Sequence, residues 1–282
     1  REVELNAAQN RFISNVSHEL RTPLFNIKSY VETLHDLKDQ LSNEEQLEFL
    51  GIANSETDRL TRLVNDVLDL SRLESGKIIQ LEEMDIKSAI EQALRNYRLN
   101  ATEKNVSLGH DIEETIPSIL GNFDLLLQVF DNLLGNGLKF SPKNSNLIIR
   151  AYTWPDSCPA FPPNNNNDGA PQCELISPLP KVRIEITDTG SGISQADQEK
   201  IFDRFYRVEN AVHTEQGTGL GLSIVRGIIE KHGGEIRMAS ELGVGTTFWF
   251  DLALAQSDKD ELLTQTINNS DNFPSSEISK IA

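Results

Sequence analysis

The chain has 282 residues and a formal net charge of −17 at pH 7, and 38% of its residues are hydrophobic. This length and apolar content predict one large or two smaller domains, each with a core. The negative charge argues against binding to nucleic acid, which needs a basic face to neutralise phosphates. The two cysteines exclude a disulfide framework and a four-cysteine zinc site.

The start of the chain has the pattern of a helix that is already under way, and it has no initiator Met. We therefore expect a piece of a longer protein, and any membrane anchor would lie in the part that precedes it. The sequence itself contains neither a signal peptide nor an apolar run that could span a bilayer.

The first 76 residues carry the pattern of two long helices. Apolar residues recur every three or four positions over residues 5–34 and again over 47–73, which is the spacing of one helix face. Ser42 and Glu45 match a capping box, so the second helix is predicted to begin there. A hairpin alone cannot bury both stripes, so we predict a four-helix bundle in a homodimer through residues 1–76. The alternative is that the hairpin packs against the rest of the chain.

After residue 76 short strand-like runs alternate with helical runs, which predicts a sheet covered on one face by helices. The predicted strands are 78–81, 106–108, 147–153, 182–186, 235–239 and 246–252, and the predicted helices are 86–101, 123–138 and 219–231. Residues 155–180 are rich in Pro and Asn and are predicted to be a flexible insertion, and residues 256–282 a disordered tail.

His18 lies opposite the apolar stripe of the first helix when each residue turns the helix by about 100°. Glu19 adjoins it and could accept a ring proton, which would make the imidazole a better nucleophile. Pro23 removes a backbone donor, so the helix is predicted to bend or loosen just after His18. The alternatives are a histidine satisfied in a core and a glutamate that is an ordinary surface residue.

Three patterns in the second half suit a nucleotide and a hard cation. The glycine-rich run "GTGLGLSIV" (217–225) leads into a helix whose first N–H groups could bind phosphate. Asp188 in "DTGSGI" ends a strand and could accept the amine of adenine, although an Asx turn is the alternative. Asn132, Asn136 and Lys139 share one helix face, where amide oxygens suit Mg²⁺ and the lysine suits phosphate. Polar residues on a solvent face are the alternative there.

The order of these patterns is more specific than any one of them. The helix with His18, "DNLLGNGLKFS", "DTGSGI", "IFDRFYR" and "GTGLGLSIV" resemble the H, N, G1, F and G2 boxes of the sensor histidine kinases of two-component systems. The resemblance covers roughly residues 1–255 and is closest to the cyanobacterial non-bleaching, drug-sensory type and its red-algal plastid counterpart. It implies an α+β multidomain chain. A helical-hairpin dimerisation and phosphotransfer domain (1–76) would precede an α/β sandwich ATP-binding domain (77–255) of the histidine kinase/chaperone ATPase type.

The resemblance also implies a role for each matching residue. His18 would be the phosphoacceptor, Glu19 its general base, and Thr22 would help to orient a water that dephosphorylates the partner regulator. Asn136 would ligate Mg²⁺, and residues 194–216 would form a mobile lid over ATP. The residues implied to contact ATP are Asn132, Asn136, Lys139, Asp188, Gly190, Gly192, Ile193, Arg207, Gly217, Thr218, Gly219, Leu220 and Gly221. Gly137, where many relatives have Ala, implies a softer helix without lost activity.

The implied activity is phosphorylation of His18 by ATP·Mg²⁺, followed by transfer to an aspartate on the receiver domain of a separate response regulator, with phosphatase activity towards that regulator. The resemblance implies a cytoplasmic or plastid stromal kinase core that contacts neither nucleic acid nor membrane, in a parent anchored through a region absent here. Two alternatives are an ATPase of the chaperone, topoisomerase and mismatch-repair type, which lacks a histidine like His18, and a non-catalytic scaffold. A redox switch through Cys158 and Cys173 is a further alternative.

Overall fold

The computed structural model of the chain describes residues 2–75, 78–154, 180–208 and 217–255, with side chains from residue 11 onward. The chain divides into two compact units. Unit 1 consists of residues 1–78, 193–228 and 240–242, and unit 2 of residues 79–192, 229–239 and 243–282. The predicted tail lies outside the described residues, as does the predicted insertion apart from Pro180.

The described residues form helices and strands in the following order: α1 (Glu2–Asp36), α2 (Asn43–Glu74), β1 (Glu82–Met84), α3 (Ile86–Lys104), β2 (Ser107–Ile112), β3 (Ile119–Gly121), α4 (Phe123–Phe140), β4 (Asn146–Trp154), β5 (Lys181–Asp188), α5 (Gln195–Gln198), α6 (Gly221–Lys231), β6 (Arg237–Glu241) and β7 (Gly245–Ala253).

The hairpin of α1 and α2 is confirmed, and α2 begins with the predicted capping box. The backbone N–H of Glu45 donates to Ser42 Oγ at 3.2 Å, and the backbone N–H of Ser42 donates to Glu45 Oε2 at 2.8 Å. The pKa of Glu45 is lowered by the hydrogen bonds that its carboxylate accepts from the backbone N–H and the hydroxyl of Ser42. α1 runs as one helix through Pro23, with no break in the helical assignment.

Unit 2 is built on a five-stranded sheet in the order β2-β4-β5-β7-β6. β2 pairs with β4 in parallel, and β5 lies antiparallel between β4 and β7. Alternate residues of β5 are buried, which follows from a sheet with one face in the core. α4 supplies fully buried side chains to that core, and the rings of Phe130 and Phe250 lie 6.5 Å apart between their centroids. This arrangement confirms the predicted α/β layers.

The predicted strand at 78–81 is wrong. A short antiparallel ribbon forms instead between β1 and β3, where Glu82 pairs with Gly121 and Met84 with Ile119. Ile78 is almost fully exposed, so its apolar side chain marks no core position. β3 was not predicted, because three residues are too few to show an alternating pattern.

Candidate active site

The side chain of His18 is exposed on α1, with 76% of its area accessible. Its Nδ1 atom lies 4.0 Å from Oε1 of Glu19, and the hydroxyl of Thr22 is 3.4 Å from the backbone oxygen of His18. The helix therefore presents an accessible imidazole with a carboxylate beside its Nδ1 atom and a hydroxyl one turn further on. This geometry disagrees with a histidine buried in a core.

The other oxygen of Glu19 belongs to an ion pair that crosses the hairpin. Oε2 of Glu19 lies 3.3 Å from Nη2 of Arg59 on α2. The sequence analysis did not find Arg59, because 40 residues separate it from Glu19 and no local spacing links the two. A charged residue at a semi-buried position of the second helix was the available signal.

In unit 2, Asn132, Asn136 and Lys139 lie on one half-buried side of α4, while the residues between them fill the core. The amide nitrogen of Asn132 donates to the backbone oxygen of Gln128 at 3.0 Å. Nζ of Lys139 lies 4.7 Å from the ring centroid of Phe140. These polar groups thus share one face of a helix whose opposite face is packed in the core of unit 2.

The C-terminal end of α4 is held by Lys104, another residue that the sequence analysis missed. Its ammonium donates to the backbone oxygens of Leu138 and Lys139, each at 2.6 Å, and a cation at this end also suits the helix dipole. An open cleft of about 410 Å³ between α3 and α4 is lined by residues that include Lys104 and Lys139, but neither Asn132 nor Asp188. Of the predicted ATP residues, Lys139 alone is in the lining of this cleft.

Asp188 ends β5 and lies next to the turn that carries Gly190. The backbone N–H of Gly190 donates to Asp188 Oδ1 at 2.8 Å, and burial raises the pKa of Asp188 in spite of this bond. A Cβ atom at position 190 would lie 2.9 Å from the backbone oxygen of Phe140, which is the last residue of α4. Gly192 follows with φ 68°. The structure thus combines the Asx turn with an acceptor carboxylate, and it places both beside the end of α4.

In unit 1 the glycine-rich turn closes against the segment before it. Gly219 has φ +71°, and a Cβ atom there would lie 2.8 Å from the backbone of Phe205. The backbone N–H of Phe205 donates to the carbonyl of Gly219 at 2.8 Å, and Phe205 itself has φ 63°. Only glycine satisfies both the dihedral angle and the space at this position. Leu220 is fully buried, and α6 begins at Gly221 as predicted to within two residues.

Unit 1 also contains predicted site residues on either side of the glycine-rich turn's partner segment. Ile193 is fixed through its backbone N–H, which donates to Ser240 Oγ at 2.8 Å, and through its carbonyl, which accepts from Gln198 at 2.9 Å. Arg207 is exposed, and Gly217 is half-buried. Residues 209–216 of the predicted lid lie outside the described residues.

Thr218 makes a contact that its predicted role does not include. Its hydroxyl donates to Asp66 Oδ2 on α2 at 2.6 Å. Burial raises the pKa of Asp66, and the hydrogen bond from Thr218 opposes that shift. Two further contacts join the same parts of unit 1: Arg204 pairs with Glu74, and the rings of Phe12 and Phe205 lie 5.8 Å apart. Within unit 1, the hairpin is therefore the surface on which the glycine-rich segment rests.

Comparison with protein families gives two matches, one to the N-terminal hairpin and one to the part of the chain that follows it. The family described as "His Kinase A (phospho-acceptor) domain" matches residues 8–76, and the one described as "Histidine kinase-, DNA gyrase B-, and HSP90-like ATPase" matches residues 121–256. The chain belongs to the histidine kinases. The kinase thus has a phosphoacceptor hairpin followed by an ATPase-type α/β domain, which is the predicted fold.

Two relatives confirm the predicted branch of this family. Drug sensory protein A from Synechocystis sp. is 56% identical over 257 residues, which are 91% of this kinase chain and 37% of the relative. The uncharacterized sensor-like histidine kinase ycf26 from Pyropia yezoensis is 55% identical over 255 residues, or 90% and 37% of the two chains. The chain therefore spans a little over a third of the length of these relatives.

The structure of the histidine kinase ThkA in complex with the response regulator protein TrrA also shares the fold. It is 20% identical with a TM-score of 0.65, and the match covers 90% of this kinase chain and 64% of that chain. None of the helices in the described ranges is both long enough and apolar enough to cross a membrane.

Proposed function

We propose that this chain uses ATP to phosphorylate His18 and then passes the phosphoryl group to an aspartate of a response regulator. The observation that carries the proposal is the accessible imidazole of His18, with a glutamate oxygen 4.0 Å from Nδ1, inside the matched phosphoacceptor domain. A histidine that only supported a fold would not combine this exposure with a neighbouring base.

The proposed reaction follows from the two nitrogen atoms of the ring. In the tautomer with the proton on Nδ1, Nε2 carries the lone pair that attacks the γ-phosphorus, and Glu19 accepts the Nδ1 proton so that positive charge does not build up on the ring. A nitrogen–phosphorus bond forms while the bond from the γ-phosphorus to the bridging oxygen breaks, and ADP leaves with that electron pair. The aspartate of the regulator then displaces the imidazole. Thr22, on the same exposed side of α1, would orient a water that dephosphorylates the regulator.

The chemistry of several residues in the ATPase-type domain supports the proposed binding of a nucleotide. Asp188 keeps an acceptor carboxylate in a semi-buried position, and the absence of a side chain at Gly190 leaves room where a Cβ would meet Phe140 and Asp188. The amides of Asn132 and Asn136 and the ammonium of Lys139 would bind phosphates, with Asn136 as the Mg²⁺ ligand. The predicted backbone and side-chain donors are Gly192, Ile193, Arg207, Gly217, Thr218, Gly219, Leu220 and Gly221. Bound Mg²⁺ neutralises phosphate charge during transfer.

The exposed apolar side chains of the hairpin support the proposed homodimer through residues 1–76. They include Ile13, Leu24, Phe25, Val31, Leu47, Leu50, Val64 and Leu68. A second copy would cover much of such a face, and the regulator would dock near His18, as the complex of ThkA with TrrA suggests by analogy. The domain limits 1–76 and 77–255 and a cytoplasmic or stromal setting in a longer, membrane-anchored parent complete the proposal.

The test is transfer of label from γ-labelled ATP to the chain. We expect acid-labile, base-stable label that is lost in His18→Gln and retained in His35→Gln, whose histidine is also exposed on α1. ATP hydrolysis without label on the wild-type chain would favour an ATPase of the chaperone type. Nucleotide binding with neither label nor hydrolysis would instead indicate a scaffold. Profiling the labelled chain against receiver domains then identifies the regulator.

A further inference from the structure

A buried polar network links α2 to the base beside His18. The guanidinium of Arg59 has one nitrogen, Nη2, 3.3 Å from Oε2 of Glu19 and the other, Nη1, 3.7 Å from Oε2 of Glu56. The amide nitrogen of Asn26 donates to Oε1 of Glu56 at 3.2 Å. The network therefore starts on α1, crosses to α2 and returns to α1 at Glu19, all within unit 1.

The burial of this network is unusual for charged groups. Only 16% of the Arg59 side chain is exposed, and Glu56 is buried. Charged groups so placed need partners, because the loss of hydration without pairing is strongly unfavourable. Among the described residues, Oε2 of Glu56 makes no hydrogen bond, and the guanidinium of Arg59 3.7 Å away offsets the charge of this buried carboxylate. Glu56 thus pairs with the second nitrogen of the guanidinium, and Asn26 in turn holds Glu56 in place.

The orientation of Glu19 follows from this arrangement. One oxygen, Oε2, is engaged by Arg59, while the other, Oε1, is the oxygen that lies 4.0 Å from Nδ1 of His18. A glutamate on a helix surface otherwise samples several rotamers, and fixing it costs side-chain entropy. A planar guanidinium held at two corners removes that freedom before the reaction begins.

We infer that Arg59 is a positioning residue for the phosphorylation of His18: it holds the Glu19 carboxylate so that its second oxygen faces the imidazole. The inference rests on the proposed function. Arg59 touches neither the ring nor the nucleotide in this role and acts only through Glu19. Its loss should therefore slow proton removal and leave the binding of ATP unchanged.

The experiment measures the initial rate of His18 labelling in the full chain at several ATP concentrations. We expect Arg59→Gln to lower the maximal rate about tenfold with the KM for ATP unchanged, because general-base assistance contributes about 10²–10⁴-fold and misplacement loses part of it. Arg59→Lys keeps the charge without the planar fork and should lose less. Arg72→Gln is the matched control, since Arg72 is an exposed arginine of the same helix.

A double-mutant cycle separates positioning from simple stabilisation of the hairpin. In a Glu19→Gln background, Arg59→Gln should cause no further loss, because the group that it positions is gone. An equal loss in both backgrounds, or a raised KM for ATP, would overturn the inference. If Arg59→Gln fails to fold, the same double-mutant cycle with Glu19→Gln is measured with Arg59→Lys and with Glu56→Gln. If the wild-type chain and Arg72→Gln also take up no label, the proposed function fails instead.

Discussion

The helices α1 and α4 both carry long apolar faces, but they use them differently. In α4 the face is satisfied within unit 2, where Leu126, Val129 and Phe130 are fully buried. In α1, Leu24 and Phe25 remain exposed in the single chain, and 69% of Phe25 is accessible. The close packing around α4 fixes the proposed nucleotide residues by folding alone, whereas the hairpin leaves apolar side chains exposed, where we propose that a second copy and the regulator bind. Changes in unit 2 should therefore alter stability, and changes in the hairpin should alter association and transfer.

The largest effect expected at a glycine comes from Gly245, the most crowded of the described glycines in unit 2. Gly245 has φ 142°, and a side chain there would overlap the carbonyl oxygen of Asp188 across the β5–β7 pairing. Gly245→Ala should reduce the free energy of unfolding by roughly 3 kcal/mol or more, since strain and overpacking each cost about 1–3 kcal/mol. Gly243→Ala should cost only about 1–2 kcal/mol, because it has φ 77° with open space around it. Equal losses by urea denaturation would mean that the crowding beside Asp188 is not there.

A second test uses the buried carboxylate of Asp188. Because burial raises its folded-state pKa above the usual value, its contribution to stability is present at low pH and is lost as the pH rises through the raised pKa. Asp188→Asn should therefore remove part of the decline in stability above about pH 4, while weakening ATP affinity about tenfold through loss of a charged acceptor.

Thermal unfolding across pH 3–8 and nucleotide titration measure the two effects of Asp188→Asn separately. Asp111→Asn is the control, because Asp111 is an exposed carboxylate of β2. A variant that is less stable than the wild type at neutral pH would contradict a carboxylate whose charge is costly in the fold.

Two helix glycines, one in each unit, test this difference directly. Their replacement by alanine should change the free energy of unfolding in opposite directions. A methyl group at Gly137 of α4 would lie 2.6 Å from Cδ1 of the buried Leu147, whereas nothing lies within 4 Å of that position at Gly51 of α2. Gly51→Ala should stabilise its helix by about 0.5–1 kcal/mol. Gly137→Ala gains the same propensity but should lose about 1 kcal/mol net, because overpacking costs about 1–3 kcal/mol. Stabilisation by both substitutions in urea titrations would show that Leu147 can move aside.

Gly137 also illustrates what the sequence could not reveal. The resemblance implied only a softer helix there, because its partner Leu147 lies on β4 and no spacing along the chain connects them. The helices and long strands were predictable since their periodicity extends over many residues, whereas β1 and β3 have three residues each. The same limit applies to the site: His18 and Asp188 sit in recognisable motifs, but Arg59 and Lys104 act through contacts across helices.

The smallest expected effect on stability is at Phe25, and it tests the other half of the comparison. Phe25→Ala should change the free energy of unfolding by less than about 0.5 kcal/mol at low protein concentration, as for other exposed positions. Phe130→Ala, which removes a fully buried ring of α4, should cost about 3–5 kcal/mol. The loss at Phe25 should appear instead in the dimer dissociation constant, by analytical ultracentrifugation, or in the rate of transfer to the regulator. If Phe25→Ala changes neither of these, its exposed ring serves no partner, and the contrast between the two helices then holds for α4 alone.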